Sequence, residues 1–146
     1  MASATYPYIG FPIAVSQVYP QGMVAYRPVA RATITASTGK SARWLVLLDS
    51  GADACLFPLS MAKMLGLDVT KLPRALTLGV GSQSNVTWYD TVTIDLGQEI
   101  KFSAYVGFSE AVERIGTGLL GQSGFFERYR VEFLLSQKLF TVDSSL

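Results

Sequence analysis

The residues best placed to do chemistry stand at the end of one apolar run, Trp44-Leu45-Val46-Leu47-Leu48-Asp49-Ser50-Gly51-Ala52. A run this apolar reads as a strand buried on both faces. It delivers Asp49 from a rigid support into low-dielectric surroundings. Gly51 has no Cβ, so backbone can approach the carboxylate closely and N–H groups can donate to it. The Ser50 hydroxyl can hydrogen-bond across to a neighbouring strand and fix the loop. Ala52 is small enough to admit a second copy of the same loop. Taken alone, Asp-Ser-Gly also reads as an Asx-type turn that ends a strand, so the flanking features have to decide.

The rest of the composition narrows the chemistry. None of the 146 residues is histidine, which removes Ser-His-Asp and Cys-His nucleophilic systems and His-based zinc or iron sites. The single cysteine, Cys55, excludes an intrachain disulfide and a thiolate cluster and reads as a small core residue. Catalysis is left to carboxylates, Lys, Tyr, hydroxyls or backbone. A net charge of +1 gives no global attraction to nucleic acid or anionic membranes. With 49% hydrophobic and 16% charged residues the chain is a folded domain, and its apolar excess points to a subunit interface. Residues 1–26 carry no charged side chain, but Pro7, Pro12 and Pro20 interrupt them, so they read neither as a membrane span nor as a signal peptide. Residues 1–23 are expected to be an extended arm or first strand, and 24–146 the functional domain. With no leader, span or disulfide, the compartment leans towards the cytoplasm without being set.

The elements that must position Asp49 are short strands separated by Gly, Pro, Ser and Asn. Val24–Ala36 reads as one strand, Ser37–Lys40 as a turn and Ala42–Leu48 as the buried strand. Pro58–Leu65 is the best helix, with Met61, Met64 and Leu65 facing inward and Gly66 ending it. Leu76–Val80 and Val86–Leu96 form two arms around a glycine-rich polar tip, the second alternating Val86, Trp88, Val92, Ile94, Leu96. Lys101–Phe108 is a further strand and Gly124–Tyr129 a short helix. Val131–Leu135 and Lys138–Val142 form a closing hairpin about Ser136-Gln137. The sum is mostly β with one or two short helices, the pattern of a small barrel or sandwich.

Three features now stand in order: the apolar strand with Asp49-Ser50-Gly51-Ala52, the glycine-tipped hairpin at Gly79-Val80-Gly81-Ser82, and Leu119-Leu120-Gly121 followed by Gln122-Ser123-Gly124-Phe125-Phe126. In these the sequence resembles the retropepsin-like aspartic proteases, from roughly Val24 to Val142. The resemblance implies a closed β-barrel and a half-enzyme, because the chain carries one Asp-Ser/Thr-Gly and lacks room for a second lobe. A homodimer would bring two Asp49 carboxylates together on a two-fold axis. They would share one proton and titrate as a coupled pair, activating a water against a peptide bond with no metal or cofactor. The hairpin at Gly79–Ser82 would be the flap over an extended peptide. The resemblance also places Asp53, Leu119 and Leu120 at the substrate. In viral members the residue matching Asp53 pairs with an Arg after the apolar-apolar-Gly strand; Gln122 stands there here, and Gln122 or Ser123 could hydrogen-bond instead. The viral dimer also uses terminal strands.

Two other readings compete. Gly116–Ser123 is a near miss for a phosphate-binding loop, but Gln122 replaces the lysine that reaches the phosphates. The fold could also serve a catalytically silent dimerisation or peptide-binding module, since fold alone does not carry activity. Trp44, Trp88, Phe102 and Phe133 read as core, and Arg128 and Arg130 as a solvated face. Tyr89 reads either as packing or as a cleft residue.

Overall fold

A computed structural model describes residues 2–78 and 84–144. Strands dominate because β-branched and aromatic residues alternate between turn formers. The first are β1 (Ser3–Pro7), β2 (Ile9–Ile13) and β3 (Met23–Arg27), followed by β4 (Val29–Thr35) and β5 (Ser41–Leu48). Between the last two, Gly39 takes a φ of +85° that other residues adopt only under strain. A short β6 (Leu56–Pro58) runs into the helix α1 (Leu59–Met64). Pro58 stands at its N-cap, and Gly66, at φ +71°, follows its end. β7 (Arg74–Leu78), β8 (Ser84–Asp95), β9 (Lys101–Ser109) and β10 (Gly118–Leu120) come next, and β11 (Arg130–Leu134) and β12 (Leu139–Asp143) close the chain.

β5 is the strand that matters for the site. It pairs antiparallel with β4 and parallel with β10, with Leu119 opposite Leu47 and Leu120 opposite Leu48. The sheet continues from β10 through β6, β9 and β8 to β7, and β8 also pairs with β4, so the strand pairings close into a ring with β7 attached outside it. Inside lie Ile34, Val46, Phe57, Val106, Phe108 and Leu120, all wholly buried. Phe125, also buried, stacks with Tyr129 at 5.2 Å and meets Phe102 at 5.5 Å. A second sheet has the order β1-β12-β11, and among the described residues β2 and β3 pair only with each other. No helix among the described residues is long and apolar enough to cross a membrane.

Several elements depart from their expected form. The expected strand Val24–Ala36 breaks at Pro28, which has no N–H for a ladder; its carbonyl instead accepts from the Leu48 N–H at 3.0 Å. Gly124–Tyr129 is a run of overlapping turns, not a helix. Gly124 sits at φ +99°, and the Phe126 and Glu127 N–H groups reach back five residues to Gly121 and Gln122. The last hairpin turns through Leu135–Lys138, with Lys138 left-handed at φ +54°, and leaves Phe133 exposed. In α1, Ala62 joins Met61 on the buried face and Met64 points outward. Arg128 is exposed, as expected, and its guanidinium also donates to the Ser103 carbonyl.

Tyr6 of β1 stacks on Phe140 of β12 at 5.3 Å, and its hydroxyl donates to the Gly97 carbonyl at 3.2 Å. Burial, with smaller contributions from the nearby Asp95 and Tyr129, pushes its phenol from 10.0 up to about 12. The folded state thus favours the neutral phenol. The stability this confers is full below pH 10 and is lost as pH rises towards about 12. The melting temperature is expected to fall through that interval. In Tyr6→Phe, which has no proton there to lose, calorimetry should show a shallower decline.

Candidate active site

Asp49 is the first residue beyond β5, and three backbone hydrogen bonds define its loop. The Asp49 N–H donates to the Leu120 carbonyl at 3.0 Å, joining the loop to the end of β10. The Ala52 N–H donates to the Asp49 carbonyl at 3.1 Å and closes the turn. The Gln122 N–H donates to the Ala52 carbonyl at 2.8 Å, so the loop is held on its far side as well. The carboxylate itself is half-buried, and its Oδ1 accepts from the Gly51 N–H at 3.0 Å. A Cβ on Gly51 would stand 3.3 Å from that oxygen, which is why glycine suits the position.

The segment after β10 fits tightly beneath this loop. A Cβ on Gly121 would lie 2.3 Å from the Ala54 carbonyl oxygen and 2.7 Å from that of Ala52, both backbone atoms. Gly121 therefore permits the close crossing of two loops. The Gln122 side chain donates to the Ser50 carbonyl at 2.9 Å. The sequence looked to the Ser50 hydroxyl for the anchor and offered Gln122 or Ser123 as hydrogen-bonding groups in place of an arginine; Gln122 does hydrogen-bond here, with the Ser50 carbonyl as its partner. The Ser123 N–H donates to the Asp53 carbonyl at 2.9 Å. Cys55 lies directly below, buried, with its thiol 3.5 Å from the Ser123 carbonyl and its pKa pushed up by burial.

Asp49, Ser50, Gly51, Ala52 and Gln122 are thus brought together. Asp53 is exposed and lines a concavity of about 450 Å³ with Gln122, Ser123, Phe126 and Glu127. Leu119 is half-exposed beside the loop, whereas Leu120 is wholly buried and belongs to the core, not to a cleft wall. Successive side chains on a strand face opposite ways, so the two leucines cannot share a role. Gly79, Val80, Gly81 and Ser82 lie outside the described residues. The arms that lead to them are β7 and β8, paired antiparallel from Arg74–Trp88 to Leu78–Ser84. Tyr89 stacks on Tyr105 at 5.4 Å. A separate concavity of about 690 Å³ lies between α1 and Glu110–Arg114, lined by none of these site residues. Among the described residues no group of three or more His, Cys, Asp or Glu is placed to hold a metal ion.

The three-dimensional comparison now bears on this arrangement. Over 97% of its length the chain matches a retropepsin-like aspartic protease from Rickettsia conorii, covering 92% of that chain with a TM-score of 0.54 and 19% identity. The fold is retropepsin-like. EIAV protease, solved with the inhibitor HBY-793, matches 66% of the chain and 82% of its own length at 23% identity and a TM-score of 0.49. No family model and no curated protein matches the sequence. In this retropepsin-like chain, as expected from the sequence, strands predominate and one short α-helix is present.

The crossing at Gly121 predicts an order of damage. Gly121→Ala forces its methyl into two carbonyl oxygens and is expected to destabilise the chain by about 1–3 kcal/mol, the usual cost of overpacking. Gln122→Ala removes one hydrogen bond at an exposed side chain and should cost about 1 kcal/mol or less. Urea unfolding of both variants checks the order.

Proposed function

We propose that the chain is one half of an aspartic endopeptidase, with Asp49 of each of two copies as its catalytic residue. The observation that carries the reading is an Asp49 loop held by backbone on both sides at the end of β5, its carboxylate accepting from the Gly51 N–H, in a retropepsin-like fold. The R. conorii protein of similar fold is described as an aspartic protease, which agrees with it.

In this reading two Asp49 side chains face each other and hold a single proton. The ionised one takes a proton from a water as that water attacks the scissile carbonyl, and the protonated one gives its proton to the carbonyl oxygen. The tetrahedral diol then collapses. The ionised carboxylate takes one hydroxyl proton, the protonated carboxylate gives its proton to the amide nitrogen, and the C–N bond breaks into an acid and an amine, leaving the dyad with a single proton as at the start. The Gly51 N–H keeps each carboxylate oriented without itself transferring a proton. Substrate binds extended, as an added strand. Leu119 offers it an apolar wall, Asp53 a polar contact, and the segment Gly79–Ser82 covers it as the flap. No cofactor takes part.

Peptide-pool cleavage from about pH 4 to 7, the range in which carboxylate dyads work, tests this, with products read by mass spectrometry. Asp49→Asn is expected to lose activity by a factor of about 10²–10⁴ or more, the usual contribution of an acid–base group. Specific activity should fall on dilution below the dimer dissociation constant. Equal cleavage by both proteins would refute Asp49 catalysis. A folded dimer that binds peptides but cleaves none would establish the silent binding module instead.

A further inference from the structure

We propose that the β2–β3 hairpin, with the cations at its base, docks this chain on the surface of a bilayer that contains anionic phospholipid. The inference stands apart from the reading of Asp49.

Charge is divided unevenly along the sequence. The first 48 residues hold Arg27, Arg31, Lys40 and Arg43 and no Asp or Glu, so the net charge of +1 divides into +4 before Asp49 and −3 from Asp49 onward. A basic half of this kind draws a chain to anionic surfaces even when the whole is nearly neutral. Three of the four cations lie about the hairpin. Arg27 ends β3, with its guanidinium 4.8 Å over the Phe11 ring of β2. Arg31 lines one concavity, of about 270 Å³, with Ile9 of β2 and another, of about 280 Å³, with Arg43. From the far end of the chain, the Lys138 ammonium sits 4.3 Å over the Tyr26 ring. Arg31 and Arg43 are exposed, and their strand partners, Leu45 and Thr33, make them diagonal neighbours on one face of the sheet. Two like charges so placed repel, and an anion held between them relieves the repulsion. Asp95, opposite Thr33, is an acid on this face, and its Oδ1 already accepts from the Gly97 N–H at 2.8 Å.

Beyond these cations the hairpin is apolar. β2 and β3 pair antiparallel from Ile9–Arg27 at the base to Ile13–Met23, and residues 14–22 form the tip. The rise of the strands sets the tip about 13 Å beyond the base. Residues 14–21 are exposed without exception. Of the twelve large hydrophobic residues exposed among those described, six lie between Val15 and Tyr26, with Val15 70% and Val18 76% exposed at the tip. The tip also supplies partners for its own backbone. The Ser16 and Gly22 N–H groups donate to the Tyr19 carbonyl at 3.0 and 2.9 Å, and the Tyr19 N–H donates to the Ser16 hydroxyl at 3.1 Å. Groups bonded in this way need no water, which lowers the cost of entering a membrane interface.

The order of these chemistries along the hairpin selects a bilayer as the occupant. Val15 and Val18 stand at the tip with Tyr19, Tyr26 lies lower on the stem, and Arg27, Arg31, Arg43 and Lys138 surround the base. A leaflet presents the matching order: hydrocarbon, then the interface in which Tyr is enriched, then anionic headgroups. A nucleic acid is gripped by a basic groove, whereas here the cations surround a protruding apolar tip that would hold a phosphate backbone away. A tip of this reach cannot cross about 30 Å of hydrocarbon, so the contact is with one leaflet only.

Vesicle co-sedimentation tests the proposal, with far-UV circular dichroism as the folding control. The vesicles are phosphatidylcholine alone, or equal parts phosphatidylcholine and phosphatidylserine. The native chain should partition onto the mixed vesicles about tenfold or more better than onto phosphatidylcholine, and added salt should release it. Arg31→Gln and Arg43→Gln should each lower the partition coefficient about fivefold, the usual weight of one cation at an anionic surface. Val18→Glu should lower it about tenfold or more, because it removes apolar contact and adds a like charge. Lys71→Gln removes an equal charge from the exposed segment before β7 and should bind as the native chain does. A native chain that stays in solution with the mixed vesicles overturns the proposal, and so does binding that all of the Arg31, Arg43 and Val18 variants leave intact. If vesicles are not bound and Val18→Glu instead shifts the oligomeric state in sedimentation equilibrium, the hairpin is a protein contact and the proposal falls. Should Val18→Glu fail to fold, Tyr19→Trp decides. Its emission should move to the blue on mixed vesicles relative to the native chain, and unchanged emission would overturn the docking.

Discussion

The backbone hydrogen bond from the Asp49 N–H to the Leu120 carbonyl begins the seam that joins the two halves of the chain where the site is built. It continues the parallel pairing of β5 with β10, and it can form only because β10 is inserted between β5 and β6. Parallel strands cannot be linked by a tight turn, so nearly all of the intervening chain is spent in returning to that edge. The ring of strands is what makes this return rigid. The carboxylate is consequently positioned by backbone from opposite ends of the domain, with little left to side-chain freedom.

The same crossing limits what the neighbouring residues can be. A methyl added at Gly121 would clash with two carbonyl oxygens, so loop and strand end approach closely there. Gln122 then reaches across to Ser50, and Ser123 to Asp53, stitching the two loops residue by residue. Cys55 and Gly124 fill the floor, where a Cβ on Gly124 would touch the cysteine sulfur at 3.3 Å. A buried neutral thiol in this place acts as a packing residue, in keeping with its raised pKa. The site is shaped less by its charged groups than by the small residues that let the backbones meet.

Much of this was legible in the residues. The apolar run before Asp49 marked the strand but not its facing, since only Ala42, Val46 and Leu48 are buried and Leu45 and Leu47 are half-exposed where burial on both faces was expected; the alternation from Val92 to Leu96 marked an inward face, and the Gly after Leu65 marked the helix end. What escaped was set by long-range packing or by one local veto. Pro28 splits a stretch whose side chains all favour a strand, because the missing N–H outweighs propensity. Gly124 breaks a segment with helical spacing by taking a positive φ. Leu119 and Leu120 look equivalent in sequence, and only the strand's facing separates the half-exposed one from the buried one. That Gln122 and Ser123 would hydrogen-bond beside Asp53 was legible, but the Ser50 carbonyl as the Gln122 partner was not, since nothing local links it to the other half of the chain.

The pairing of β1 with β12 has a consequence for how the molecule comes into being. The Ala2 N–H donates to the Ser144 hydroxyl at 2.7 Å, and the Ser144 N–H to the Ala2 carbonyl at 2.9 Å, so the first and last described residues are held side by side. During synthesis β1 emerges before the other strands of this domain and its partner β12 after them. Until β12 emerges the Tyr6 ring therefore has no Phe140 to stack on, and the strand waits as an open edge, the kind of surface that makes nascent chains prone to mispairing. The ring can begin to assemble from β4 and β5 alone, but the second sheet is sealed only by the final strand. Completion of the fold waits for β12, the last of these strands to emerge.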